Sequence, residues 1–541
     1  MKKVVFMMVT LATLLAMPSC GSKVDPVDNA SQAAPTAITL SQSGFSFTKD
    51  GGEASLTVKA PFRPSFSGTP SWITVGDGTF DKYQITYKLT AAANTTYEAR
   101  EATVTLKATG VADVTFTVSQ EAAEKPVDPT PGSEVNQAVI DAMGLGWNMG
   151  NQFDGYYNGS WAGEKEGYPD ECVWQGSTDA EKKAHMATQA TFDGIKSLGF
   201  TSVRIPISWL KMIGPAPDYK IDETWMNRIY EVVGFAHKAG LSVIINTHHD
   251  ENHGVNNDYQ WLDIKNAAGN SALNESIKAE IKAVWTQIAQ KFAGCEDWLI
   301  MESFNELNDG GWGWSNDFRN NPTKQCNILN EWNQVFVDAV RATGGNNATR
   351  WLGVPTYAAS PEFEKYAVMP TDPAKKTMLA VHFYDPSAYT IGSEQYSDWG
   401  HTANREKDSE GNYKYWAGSG DEDHVKAVFG NLYTKYVSHG IPVYLGEYGC
   451  SMRSKSDTRA WAFYKYYMEY VVKAAKTYGL PCYLWDNGAS GTGQEQHGYI
   501  HHGTGQPIGN SKEIIDILKK AWFTSAEGYT LDTVYNSAPK F

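Results

Sequence analysis

Two glutamates close two apolar runs. The first reads Trp298-Leu299-Ile300-Met301-Glu302-Ser303-Phe304-Asn305-Glu306, and the second Pro442-Val443-Tyr444-Leu445-Gly446-Glu447-Tyr448-Gly449. Each has the texture of a buried strand that spends its last positions on a carboxylate. Parallel barrel strands deliver such ends to one face. Two carboxylates facing each other across a groove are the usual equipment for breaking a glycosidic bond. Other apolar runs end in polar groups too. Arg204 follows Val203, His248 and His249 follow Val243-Ile244-Ile245-Asn246-Thr247, and Asn305 precedes Glu306. His382 and Tyr384 end Ala380-Val381-His382-Phe383-Tyr384, and Trp485 ends Cys482-Tyr483-Leu484-Trp485. Singly, each has a dull explanation: a solvated strand end, a salt bridge to a helix, a satisfied core histidine, a packed tyrosine. Their joint appearance at successive strand ends points to one site.

His248-His249-Asp250 with His253 invites a metal reading. Zinc needs ligands that converge and partners that orient them, whereas strand-end spacing accounts for these histidines without an ion. No catalytic metal and no cofactor is expected. Aromatic residues make up 13% of the chain, with 18 Trp and 29 Tyr, an excess that suits flat platforms for pyranose rings. Trp161, Trp174, Trp209, Trp261 and the pair Trp312 and Trp314 are the candidates, weighed against simple packing under loops.

These side chains need a scaffold. Candidate strands are 144–148, 202–205, 242–246, 299–304, 350–354, 377–383, 443–445 and 482–485. Amphipathic helical stretches such as 224–239, 275–292, 327–343 and 458–478 lie between most of them. Eight strands alternating with helices predict an α/β fold, a (β/α)8 barrel over 135–530. Ahead of it, short period-two runs between residues 37 and 122 predict a small all-β, immunoglobulin-like sandwich. Residues 123–134 form a Pro-rich linker and 21–36 a flexible tether. Lys2-Lys3, an apolar stretch and Cys20 form a signal at 1–20 similar to those of bacterial lipoproteins, with Cys20 as the lipidated residue. An exported protein at the outer membrane or cell surface, anchored only by that lipid, is expected. The remaining five cysteines show no metal spacing and no disulfide framework. A net charge of −15 and a pI near 5.3 disfavour nucleic acid as a partner. A monomer is expected.

In order, Arg204, His248, Asn305-Glu306, His382, Tyr384, Glu447 and Trp485 resemble glycoside hydrolase family 5. Gly146-Trp147-Asn148-Met149-Gly150-Asn151, Thr247-His248-His249-Asp250 and Trp485-Asp486-Asn487-Gly488 resemble its subfamily 4, rich in endo-β-1,4-glucanases and xyloglucanases. The resemblance covers residues 135 to about 525. It implies a retaining double displacement with Glu447 as nucleophile and Glu306 as acid/base. Substrate-binding and supporting roles then fall to Arg204, His248, His249, Asn305, His382, Tyr384, Trp485, Asn151, Trp147 and Asn487. Arg204 is expected to lower the Glu447 pKa, and Glu306 must sit higher. A plant cell-wall β-glucan is the implied substrate, xyloglucan first. Alternatives are mannan or mixed-linkage glucan hydrolysis on the same barrel, or a non-catalytic surface glycan-binding protein. The sandwich, through Gly51-Gly52, Pro70-Ser71-Trp72-Ile73 and Arg100, resembles the BACON module. Beyond Trp72, Phe80 and Tyr97 it shows no aromatic strip, which favours a spacer over a glycan binder.

Overall fold

The computed structural model describes residues 33–94, 98–122, 134–253, 257–392 and 396–541. The expected signal peptide with Cys20, most of the tether, almost all of the linker, and Tyr97 lie outside the described residues. The chain divides into two compact units.

The first unit is a two-sheet sandwich. Strands β1 (Thr39–Leu40), β3 (Gly52–Lys59), β6 (Gln84–Ala91) and β5 (Ile73–Val75) pair in that order. β2 (Gly44–Phe47), β8 (Val114–Gln120), β7 (Arg100–Lys107) and β4 (Ser65–Ser67) form the other sheet, with β2 parallel to β8. Alternation decides which face is buried: β6 is exposed and buried by turns along its whole length. Leu56, Val58, Leu89, Val104, Leu106 and Val118 meet between the sheets, all fully buried. Trp72 and Phe80 pack against this core rather than forming an outer strip.

The second unit is a closed barrel of eight parallel strands. They are β9 (Leu145–Asn148), β10 (Ser202–Ile205), β11 (Ser242–Ile245), β12 (Leu299–Glu302), β13 (Leu352–Pro355), β14 (Thr377–Phe383), β15 (Val443–Tyr448) and β16 (Cys482–Leu484). All eight expected strands exist, with ends moved by up to three residues. The largest extension is in β15, which runs on through Glu447. Helices alternate with them, and several start on side-chain caps: Asp222 accepts from the Trp225 N–H, Asn270 from Leu273 and Asp457 from Ala460. A last helix, Leu531–Asn536, packs on helix Thr458–Thr477 beyond the expected boundary at 530.

Apolar residues fill the lower barrel interior, where Ile244, Ile300, Met378, Tyr444 and Tyr483 cluster. Large side chains fit because small ones face them. A Cβ on Gly353 would lie 2.2 Å from the Tyr444 hydroxyl oxygen. Above this plug the inward positions turn polar, and that layer is the floor of the site.

Candidate active site

Arg204 anchors the polar layer. It points inward from β10, is fully buried, and spends its guanidinium on four partners. Nε and Nη2 hold Glu302 at 3.1 and 2.7 Å, and Nη1 reaches Glu447 at 2.9 Å and the Asn148 amide oxygen at 3.0 Å. Nη2 also donates to Asn305 Oδ1 at 2.8 Å. A lone buried cation costs several kcal/mol, so two carboxylates flanking it are a requirement of the fold as well as of the chemistry. Glu302 receives further bonds from Tyr444 at 2.6 Å and the Asn246 amide at 3.1 Å. Its pKa lies below the ordinary value: burial opposes ionisation, but Arg204 and Tyr444 outweigh it.

Glu302 is the largest omission from the sequence reading. It shares the inward phase of β12 with Ile300, and that phase was its only signal. Burial raises the Glu447 pKa, while His382, Arg204 and the Tyr384 hydroxyl pull it back. The expected net lowering fails because burial, with the neighbouring Glu306 carboxylate adding to it, outweighs Arg204.

The two catalytic candidates meet. An oxygen of Glu306, an oxygen of Glu447 and a nitrogen of His382 lie within 4.8 Å of one another. Burial pushes Glu306 up to about 7, with the Glu251 carboxylate adding to the rise. The pair therefore titrates as a unit. Hydrogen bonding decides which member carries the charge: Glu447 accepts from Arg204 on one oxygen and from the Tyr384 hydroxyl, at 3.0 Å, on the other. Glu306 has His382 Nδ1 at 2.7 Å, and burial holds that imidazole neutral with its pKa near about 4. Charge-assisted bonds favour the anion, so the negative charge sits on Glu447 and the proton on Glu306. The register irregularity between Val381 and His382 sets His382 opposite Glu447 across β14 and β15.

Local bonds fix the orientation of the remaining groups. Asn246 Oδ1 accepts from the Ile207 N–H, so its Nδ2 faces His248 Nδ1 at 3.2 Å. His248 thus accepts at Nδ1 and carries its proton on Nε2. That N–H lies 3.9 Å from both Glu447 and Asp154 and lines the cavity. Asn305 is pinned the same way: Arg204 occupies its Oδ1, which leaves Nδ2 to donate into the cavity. His249 is held by Glu251 and Asp154; burial opposes its cation, but the two carboxylates raise it to about 9. Trp485 lies parallel to His248, ring centroids 5.9 Å apart. Gly150 permits this, since a Cβ there would sit 2.6 Å from the indole.

Asp154, His248 and His249 bring potential ligand atoms within 4.8 Å. His248 faces that cluster with N–H, which makes it a hydrogen-bond donor and not a metal ligand. Asp250 does not belong to the cluster: its carboxylate accepts from the Trp209 and Leu210 N–H groups and the Trp261 indole.

A cavity of about 560 Å³ joins His248, His249, Asn305, Glu306, His382, Tyr384, Glu447 and Trp485. Trp312 and Trp314 line it and are exposed. Arg204 lies beneath it. Three other expected residues do not line it and act as supports. Trp147 is fully buried and donates to Asp486. The Asn151 N–H donates to Asp154. Asn487 braces the loop behind Trp485, accepting from the Ala489 and His497 N–H groups and donating to the Glu495 carbonyl. Trp209, a platform candidate, is fully buried. Glu495, absent from the sequence reading, lines the cavity on that loop.

Residues 165–491 match the family Cellulase (glycosyl hydrolase family 5). The chain belongs to glycoside hydrolase family 5. Residues 64–121 match the BACON family of N-terminal domains. Endoglucanase A of Paenibacillus barcinonensis is 36% identical over 67% of this chain and 84% of its own. A xyloglucan-specific endo-beta-1,4-glucanase of Bacteroides ovatus is 30% identical over 96% of both chains. Among solved structures, a broad-specificity endoglucanase of subfamily 4 from Bacteroides salanitronis is 44% identical and has a TM-score of 0.65. It covers 75% of this chain and 98% of its own. This family 5 hydrolase therefore pairs the eight-stranded barrel with an N-terminal BACON domain.

Proposed function

We propose that the enzyme is a retaining endo-β-1,4-glucanase with xyloglucan as its preferred substrate. The observation that carries the mechanism is the separation of Glu306 and Glu447. Retaining enzymes hold their carboxyl groups about 5–5.5 Å apart, inverting ones about 6.5–9.5 Å, and oxygens of the two residues within 4.8 Å of each other fit the shorter class. Glu447 attacks the anomeric carbon while Glu306 passes its proton to the glycosidic oxygen. The C–O bond breaks, the aglycone departs, and a glycosyl ester forms on Glu447. The ester no longer competes for charge, so Glu306, now a carboxylate, takes a proton from water. That water attacks the anomeric carbon and frees Glu447. Asn305 Nδ2 is the donor for the 2-hydroxyl, a bond that strengthens in the transition state. The His248 N–H holds a second hydroxyl, and Trp485 floors the adjoining sugar.

Xyloglucan is supported by the Bacteroides ovatus relative, which aligns through the sandwich as well as the barrel. The 44% identity to the broad-specificity Bacteroides salanitronis endoglucanase supports a second reading, an endoglucanase of broad specificity rather than one committed to xyloglucan. Product mapping on xyloglucan, carboxymethyl cellulose, mixed-linkage glucan and mannan side by side separates these. Fastest release of oligosaccharides from xyloglucan is expected; cleavage of mannan alone would end the glucanase reading. We further infer that the enzyme works as a monomer at the cell surface, anchored through lipid on Cys20. Cys20→Ser should move it from the membrane fraction to the soluble one.

A further inference from the structure

A second cleft has a volume of about 610 Å³, close to that of the catalytic cavity. Its lining comes from the segment after β9 and the segment after β10 (Tyr157, Asp170, Lys182, Met186, Met212 and Asp222 among others). Both follow the C-terminal ends of barrel strands, the ends that carry the catalytic residues. Aromatic residues lie on the chain between the two sites. His249 lines the catalytic cavity, and Trp174 lies 5.6 Å from it, centroid to centroid. Tyr156 is 5.4 Å beyond Trp174. The next residue, Tyr157, lines the second cleft, and Trp161 stands 5.4 Å from it.

Single exposed aromatics are ordinary. This one stands against Tyr157, which lines a formed cleft. Lys165 and Lys182 lie over the Tyr157 ring at 4.8 and 5.3 Å, so the ring left open is that of Trp161, which is 59% exposed. Met186 adds exposed apolar surface, and lysine and aspartate side chains supply donors and acceptors. An apolar ring face beside convergent polar groups suits a pyranose, whose faces are C–H and whose rim is hydroxyl. The catalytic mechanism uses none of these residues.

We propose that this cleft binds a distal stretch of the same β-glucan chain whose bond is being cut. The proposal rests on the glucanase reading above. Two sites on one chain raise apparent affinity through effective concentration, and only a long substrate reaches both. The test compares Trp161→Ala and, separately, the cleft-blocking Met186→Arg with wild type, on polymeric xyloglucan and on cellotetraose. On the polymer, KM should rise on the order of tenfold with kcat unchanged; on cellotetraose both constants should stay put. An unchanged polymer KM in both variants overturns the proposal. So does an equal loss on polymer and tetrasaccharide, which would mark damage to the catalytic cavity. Binding gives a readout free of turnover. Glu447→Gln should be retarded in a xyloglucan-containing native gel, and adding Trp161→Ala should weaken that retardation; equal mobility refutes the second site. A wild-type enzyme idle on both substrates would refute the glucanase reading instead and leave the gel result to decide the cleft.

Discussion

Two strand arginines in one chain live by different rules. Arg100, at the start of β7 in the sandwich, has neutral partners. It donates to the Gln120 side chain at 2.9 Å and to the Ala92 and Ala93 carbonyls, and it stacks over Trp72 at 4.7 Å. Arg204, in the barrel, is fully buried between two carboxylates. In the sandwich, alternation turns polar side chains outward and leaves hydrocarbon inside, and the arginine staples a strand end. In the barrel the same alternation turns Asn148, Arg204, Glu302 and His382 inward, where packing alone would choose hydrocarbon. A fold that only had to be stable would replace this layer with apolar side chains, since a buried ion pair seldom improves on them. The placement of charge inside the barrel is therefore itself the mark of a site.

The strongest way to break this contrast is to neutralise the paired carboxylates. Glu447→Gln and Glu306→Gln should each lower kcat on xyloglucan on the order of 10⁴-fold. Calorimetric binding of cellotetraose should persist in both. Near wild-type turnover in either variant would mean that the charge layer serves stability alone.

Glu302 tests the other half of the comparison, because it holds Arg204 without lining the catalytic cavity. Glu302→Ala leaves a buried guanidinium with one carboxylate and should cost about 3–5 kcal/mol, read as a lower chemical-denaturation midpoint of the barrel. Glu302→Gln keeps the shape and removes the charge. Arg204 then has only Glu447 to balance, which lowers the Glu447 pKa. The acidic limb of the pH–kcat/KM profile should move to lower pH. An unmoved limb would show that Glu302 has no electrostatic hold on the nucleophile.

This residue also shows where sequence legibility ended. The eight strands could be read because each is a short apolar run between helical stretches. The sandwich could be read because its strands alternate strictly. Glu306, Glu447, His382 and Tyr384 stood out because they close apolar runs. Glu302 stood inside such a run, and only the closed barrel tells inward from outward there. Asp154 and Glu251 lie in loops whose convergence on His249 no spacing encodes. Which of the expected binding and supporting residues would reach the cavity was not legible either, because a motif reports which residues belong to a site; Trp147 and Asn487 turn out to support it from outside the lining. Trp209 failed as a platform for a related reason: tryptophan serves cores and glycan surfaces equally well.

A smaller effect comes from protons. Glu306, at about 7 in the folded enzyme, holds its proton more tightly than an unfolded carboxyl does. The stability this contributes is complete below the ordinary carboxylate range and is lost as pH rises through about 7. Activity should fall along the same limb, since the acid must start protonated. Glu306→Gln cannot ionise, so its melting temperature at pH 8 should exceed that of wild type while the two converge near pH 5. The sandwich should ignore this titration entirely, and a shift in its unfolding transition would contradict the division drawn between the two units.

The smallest expected effect is at Arg100. Its loss in Arg100→Ala removes one cation–π contact and a few hydrogen bonds to neutral groups, about 1–2 kcal/mol in all, confined to the sandwich. Turnover on soluble xyloglucan should not change, because Arg100 takes no part in the charge balance of the catalytic cavity. The informative partner is Gln120, which is buried and spends its amide on the Thr48 and Ala92 carbonyls while accepting from Arg100. Gln120→Leu should destabilise the sandwich more than Arg100→Ala, because it takes the amide partner from two carbonyls as well as from the guanidinium. If Arg100→Ala proved the costlier change, the stacked cation and not the amide network would be what closes this end of the sandwich, and the two arginines would differ less than their partners suggest.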